Sequence, residues 1–255
     1  MIQRVIRLLA VDTRGWWTPP RRSAAVPARA SNAHPGPRRG TTTGQSAGTL
    51  ADQAYCSISD RLVTLRIRPG EPVNDERIAA DLGFGRTPVR EALKRLEHER
   101  LIIAYPRRGT FATEVQIADL GHISEVRQRL EPLAAALAAQ RAGESDRREL
   151  NRLLGELKDA SDGGADLIRL DMAVHRALYA ATRNPYLEDT LVRYDNLATR
   201  IWCLFIDRLP SLAGHGHVHE HGPLLRAIVD RDAEKAEALA AAHVEGFEAA
   251  IRSVI

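Results

Sequence analysis

Four residues in the C-terminal half have the types and the spacing to hold a cation. Asp171 and His175 are four apart among Leu167, Leu170, Val174 and Leu178, so on a helix all six share one inward face. His221 stands one turn before Leu224, Leu225 and Ile228, and His243 lies among Ala236, Leu239, Ala240, Phe247 and Ala250. Burying an unpaired carboxylate is costly, and a cation would offset it. One carboxylate with three imidazoles is a donor set suited to Zn, Ni, Mn, Co or Fe, with coordination positions left for another ligand. Taken singly, each histidine also reads as a core residue bonded to a carbonyl, and the Asp171–His175 pair as a plain buried hydrogen bond. His215, His217 and His219 occupy alternate positions beside Gly214 and Gly216, lack helical spacing and read as exposed. Glu220, next to His221, is expected to point away from that histidine's face.

A second group of residues could read nucleic acid. Arg86, Thr87 and Arg90 fall in the first turn of an expected helix over 87–99, with Thr87 as cap and Pro88 in the first turn, where its missing N–H costs nothing. Arginine can fork onto guanine O6 and N7, and a helix N-terminus attracts phosphate. Arg107, Arg108 and Gly109 sit at the tip of an expected β-hairpin, where they suit a minor groove or a phosphate backbone. On charge alone these arginines also read as a solvated surface. The order of elements favours the first reading, because capped helix and basic hairpin occur together.

The elements that must position these groups are mostly helical. Ala, Leu and Arg dominate, aromatics are only 5%, and no apolar run is long enough to span a membrane. Cys56 and Cys203 are the only cysteines, which excludes a disulfide scaffold and a CxxC site and fits a reducing cytoplasm. Leu50–Arg66 carries a helical stripe, Asn74 can cap a helix over Asp75–Leu82 that ends at Gly83, and 101–113 alternates like a hairpin. Residues 117–255 read as about six helices of an antiparallel bundle, broken at 143–145, 161–164, 184–185, 210–216 and 230–232. The fold class is therefore mainly α: a winged helix-turn-helix over 49–114, then an all-helical bundle over 117–255. Residues 1–48 read as a disordered basic arm: eight arginines against the single acid Asp12 give it a net +7, so the chain's +3 leaves −4 on the rest. The basic character thus lies in the arm, which could add salt-dependent affinity for DNA. Its composition also resembles a transit peptide, though no signal peptide is expected.

The strings Pro69-Gly70, Phe84-Gly85-Arg86-Thr87-Pro88-Val89-Arg90-Glu91-Ala92-Leu93 and Arg107-Arg108-Gly109-Thr110-Phe111 resemble the DNA-binding domain of the GntR family of bacterial transcription regulators. That resemblance implies base contacts from Arg86 and Arg90, a phosphate contact from Thr87 and entry of Gly109 into the minor groove. It departs from the family at Gly85, where a Ser is usual, and at Arg100, where a left-handed helix cap favours Gly. Glu76 stands where some members carry an Arg that contacts DNA. Residues 117–255 look like the FCD ligand-binding domain of the FadR subfamily, on Glu125–Glu131, Asp171 with His175, Asn184-Pro185 and His221. The resemblance implies a divalent metal on Asp171, His175, His221 and His243, a small organic acid completing its shell, and Arg127 holding the effector's carboxylate. Arg127 reads as readily as a salt bridge to Glu131, four residues on.

The function implied is a metabolite-responsive regulator, a repressor, which binds a palindromic double-stranded operator as a homodimer in the bacterial cytoplasm. It is not expected to be an enzyme. The alternatives are a metal-dependent hydrolase fused to a DNA-binding head, and an architectural DNA-binding protein with no effector.

Overall fold

The computed structural model describes residues 48–160, 165–206 and 216–255. Helix α1 (Leu50–Val63) opens on a capping box in which Asp52 N donates to Thr49 Oγ1 and Thr49 N to Asp52 Oδ2. It ends three residues before the expected Arg66, because Leu65 has turned left-handed with φ 55°. Helix α2 (Asp75–Leu82) starts and stops as its sequence dictates: Asn74 Oδ1 accepts from the Glu76 and Arg77 amides, and Gly83 caps it at φ 66°.

Helix α3 (Arg86–His98) begins one residue earlier than expected, and Gly85, not Thr87, is its extended N-cap, with no side-chain cap. None of the first-turn amides has an intrahelical partner, so a proline is tolerated anywhere in that turn and Pro88 does not pin the start to one residue. The helix closes on Arg100, which takes the left-handed cap at φ 63°, with Leu101 N donating to Leu96 O and Arg100 N to Glu97 O. Strands β1 (Ile102–Tyr105) and β2 (Gly109–Ala112) pair antiparallel, Tyr105 opposite Gly109, and form the wing. Ile58, Leu62, Val89, Ala92, Leu96, Leu101 and Ile102 are buried together beneath these elements.

The rest is helical: α4 (Asp119–Arg141), α5 (Glu144–Asp159), α6 (Ala165–Ala181), α7 (Pro185–Phe205), a single turn α8 (Gly216–His219), α9 (His221–Val229) and α10 (Ala233–Arg252). The first break is narrower than expected, because Glu144 already belongs to α5, which Gly143 caps. Asn184 caps α7 through the Leu187 amide, with Pro185 at the first position, and Asp232 caps α10 through the Lys235 amide. The separation of α8 from α9 at Glu220 had no signal in the periodicity. The arm up to residue 47, the break expected at 161–164, and residues 210–215 of the break expected over 210–216, His215 among them, lie outside the described residues. Gly216 opens α8, which also contains His217 and the half-buried His219, so these two are helical, contrary to expectation.

Helix α4 runs along α10 and also touches α6 and α7, while α9 lies against α5 and α10. Leu150, Leu153, Val174, Tyr179, Leu191, Trp202, Leu225 and Phe247 fill the core between them. The two halves are joined: Arg200 of α7, itself buried, donates through Nη1 to Thr113 Oγ1 and through Nη2 to the Thr113 carbonyl, both at 2.6 Å. Arg169 of α6 lies 3.5 Å from Asp60 of α1, and Met172 and Leu197 pack against the N-terminal core. No helix among the described residues is long and apolar enough to cross a membrane.

Candidate functional site

The N-terminal half presents Arg86, Thr87 and Arg90 on the first turn of α3, all exposed, with the wing beside them. Arg107 and Arg108 form the exposed wing tip, where φ 62° at Arg107 and 97° at Gly109 turn the chain. The hairpin bends through the left-handed region at both residues. Glycine adopts that region without cost, and arginine does not. The six residues expected to touch DNA are thus carried by two adjacent elements. Two of them are not isolated cations. Arg90 Nε donates to Asp75 Oδ2 at 2.6 Å, and Arg86 reaches Asp75 Oδ2 at 3.3 Å and Glu76 Oε1 at 2.6 Å.

In the helical half, α6, α9 and α10 bring Asp171, His175, His221 and His243 together, all four almost fully buried. His175, His221 and His243 each place a ring nitrogen within 4.8 Å of the others. The His221 and His243 ring centres are 4.4 Å apart, and those of His175 and His221 4.8 Å. Asp171 spans two of them, with Oδ2 3.5 Å from His175 Nδ1 and Oδ1 3.7 Å from His221 Nδ1. Glu220 departs from expectation. Its carboxylate stands 3.4 Å from His243 Nδ1, because it reaches across to α10 and not along its own helix.

Sequence reasoning missed a second buried carboxylate. Asp195 of α7 places Oδ1 3.8 Å from His175 Nδ1, and Asp171, His175 and Asp195 form an overlapping cluster whose donor atoms also lie within 4.8 Å of each other. Its signal was present: Asp195 falls on the inward stripe of Leu191, Val192, Ala198 and Trp202, the pattern that marked Asp171. Arg176 donates to Asp195 Oδ2 at 2.5 Å and to Asn196 Oδ1, which ties α6 to α7 beside the cluster.

Arg127 is buried and donates through Nε to Glu131 Oε1 at 2.5 Å, so the expected i,i+4 pair is formed. Tyr179 donates to the same oxygen at 3.1 Å, and Glu131 Oε2 stands 3.8 Å from His175 Nε2. The Arg127 guanidinium also lies 5.3 Å from the Phe247 ring centre.

Charge in this space is set by the carboxylates. Burial alone would lower the pKa of His175, but Asp195 and Asp171 overcome it and push the pKa up to about 9. His221 goes the other way, down to about 4, because burial outweighs the attraction of Asp171. Burial likewise disfavours the Arg127 cation, and Glu131 reverses that effect. A buried space with two aspartates and three imidazoles is the chemistry of a borderline divalent cation, which would replace protons on the ring nitrogens. The donor set therefore fits such a metal.

Comparison with known proteins agrees with both halves. Residues 50–112 match the model for bacterial regulatory proteins of the gntR family, and residues 122–246 match the FCD domain. The Nta operon transcriptional regulator of Aminobacter aminovorans is 30% identical over 185 residues, 72% of this chain and 85% of that one. The transcriptional repressor RspR of Escherichia coli is 24% identical over 206 residues, 79% of this chain and 89% of its own. Among solved structures, E. coli McbR/YncC superposes with a TM-score of 0.70 at 23% identity, covering 81% of this chain and 99% of that one. The first two relatives are transcription regulators.

Proposed function

This chain belongs to the GntR family of bacterial transcription regulators and carries an FCD domain, and from that membership we propose that it is a metal-dependent, metabolite-responsive repressor of the FadR type. The observation that carries the sensing half of this reading is the convergence of three buried imidazoles, from α6, α9 and α10, on one space with Asp171. Asp171, His175, His221 and His243 would hold a divalent metal, of the Zn, Ni, Mn, Co or Fe group. When bound, such an ion supplies a Lewis-acid position for the carboxylate of a small organic acid.

This chain's own residues supply the rest. Glu131 lies between Arg127 and His175, so Arg127 meets an effector carboxylate only when Glu131 gives up part of its hold. Arg86, Thr87 and Arg90 read one half-site in the major groove, while Arg107, Arg108 and Gly109 follow the backbone and minor groove beside it. A homodimer sets two such heads on a palindromic operator in the bacterial cytoplasm. An effector that binds one arrangement of the heads better than another changes operator affinity by that difference.

Two measurements test the reading. In a selection of duplexes from a randomised library, wild-type protein enriches a palindrome, and Arg90→Ala binds the selected duplex at least tenfold more weakly. Equal binding by that variant would remove α3 as the reader. Elemental analysis of the purified protein finds close to one divalent ion per chain, lost in His243→Ala while the helical circular dichroism persists. Full metal content in the variant would remove the metal centre. With the metal assigned, a thermal-shift screen of carboxylic acids identifies the effector class, since a ligand of the native state raises Tm.

A further inference from the structure

Asp75 sits between the two arginines assigned to the DNA. It is the first residue of α2, held in position by the cap that Asn74 makes to the Glu76 and Arg77 amides. Its side chain is only 24% exposed, against 59% for Arg90 and 49% for Arg86. One oxygen, Oδ2, accepts from both arginines, at 2.6 Å from Arg90 Nε and 3.3 Å from Arg86 Nη2. The hydrogen bond from Arg90 does most to hold the Asp75 carboxyl below the usual carboxylate range; that from Arg86 adds less, and burial opposes both.

The atoms used matter. A guanidinium has five N–H donors in a planar fork, and a guanine takes two parallel ones. Arg90 gives Asp75 its Nε, and among the described residues no other ion pair engages it, so both terminal nitrogens stay available as a fork. Arg86 is held differently: its two terminal nitrogens are taken by Glu76 and Asp75. An exposed arginine otherwise gives up rotamer freedom when it binds, and an anchored one has already done so.

Resting on the assignment of α3 as the DNA reader, we propose that Asp75 is a positioning residue for sequence discrimination, which anchors Arg90 by Nε so that its terminal fork meets a guanine. The carboxylate adds no contact to DNA and repels phosphate. Removing its charge therefore weakens discrimination without weakening general affinity.

The test uses the full chain, a duplex selected from a randomised library by wild-type protein and a scrambled duplex of equal length, in fluorescence anisotropy at several salt concentrations. Asp75→Asn is expected to lower the ratio of selected to scrambled affinity about tenfold, while binding to the scrambled duplex stays equal or tightens. Placed on Arg90→Ala, the same change is expected to alter the ratio less than twofold, since the group it positions is gone. Repeating the selection with Asp75→Asn is expected to lose the base at the position that Arg90→Ala loses, and no other. A ratio within twofold of wild type in Asp75→Asn, alongside a collapsed ratio in Arg90→Ala, would overturn the positioning role and leave the reader standing. An intact ratio in Arg90→Ala would overturn both. Additive effects in the double variant, or equal losses on both duplexes, would mark Asp75 as a fold residue and overturn the proposal. Should Asp75→Asn not fold, Asp75→Glu takes its place. Its longer arm moves the anchor, and a ratio unchanged by it counts against positioning.

Discussion

Arg127 is held in a buried ion pair beside the imidazole cluster, and the proposed function also gives it the effector's carboxylate. Its pair with Glu131 is buried at both ends, 3% and 5% exposed, and Tyr179 donates to the same carboxylate oxygen that Arg127 engages. A buried pair loses more when one partner is deleted than when both become apolar, because the survivor is left charged and dry. Arg127→Met is therefore expected to destabilise the protein by about 3 kcal/mol, and Arg127→Met with Glu131→Met by clearly less, in denaturant unfolding followed by circular dichroism. A double variant less stable than the single would show that the pair is not the relevant unit. The same pair of variants tests the proposed effector contact of Arg127 apart from its ion pair: a stable double variant that no longer answers the effector found in the thermal screen would support that contact, and one that still answers it would remove it.

Among the elements, α3 and its C-terminal cap are a case where an unfavourable residue is kept in a required conformation. The helix must end at Arg100 for Leu101 and Ile102 to enter the core of the wing, and both amides of the closing motif are satisfied there. Arginine at φ 63° carries the Cβ clash that glycine lacks, a cost of about 1 kcal/mol. Arg100→Gly is therefore expected to raise stability by about 0.5–1 kcal/mol, in part offset by the glycine's freer unfolded chain, and calorimetry of the full chain should show Tm move up. A fall in Tm would mean that the Arg100 side chain contributes more than its backbone costs. Helix α6 is the other informative element: Asp171 and His175 face the buried imidazole cluster, while Arg169 and Met172 reach the N-terminal half. One helix thus touches both the buried imidazole cluster and the winged half.

Across the whole molecule, Arg200 is one of the groups that join the two halves. Both of its terminal nitrogens hold Thr113, just past the wing, and burial lowers its pKa to about 10. Arg200→Ala is expected to remove the two hydrogen bonds and destabilise by about 2–3 kcal/mol. It is also expected to split the calorimetric unfolding into two transitions, one for each half. A single sharp transition would show that the apolar contacts of Met172 and Leu197 suffice. Chelation by EDTA is expected to lower the Tm of the bundle in wild type and to leave that of His243→Ala unchanged, because a metal that binds only the native state stabilises only the chain that holds it.

Local signals carried far into this protein. Asn74, Gly83, Asn184-Pro185 and Asp232 announced helix ends because capping is a matter of a few neighbouring atoms. Asp171, His175, His221 and His243 were legible because each interrupts an apolar stripe on its own helix, and a stripe records burial without saying what lies opposite. What lies opposite was decided only by how the helices cross. Asp195 beside His175, Glu131 beside His175, Arg200 on Thr113 and Asp75 under Arg90 join residues 15 to 87 positions apart. Glu131 was named from its spacing as a partner for Arg127 and not as a neighbour of His175. The spacing of residues along a chain fixes neighbours only within a turn or two of helix. Distances between side chains on different elements depend on the packing of every side chain between them.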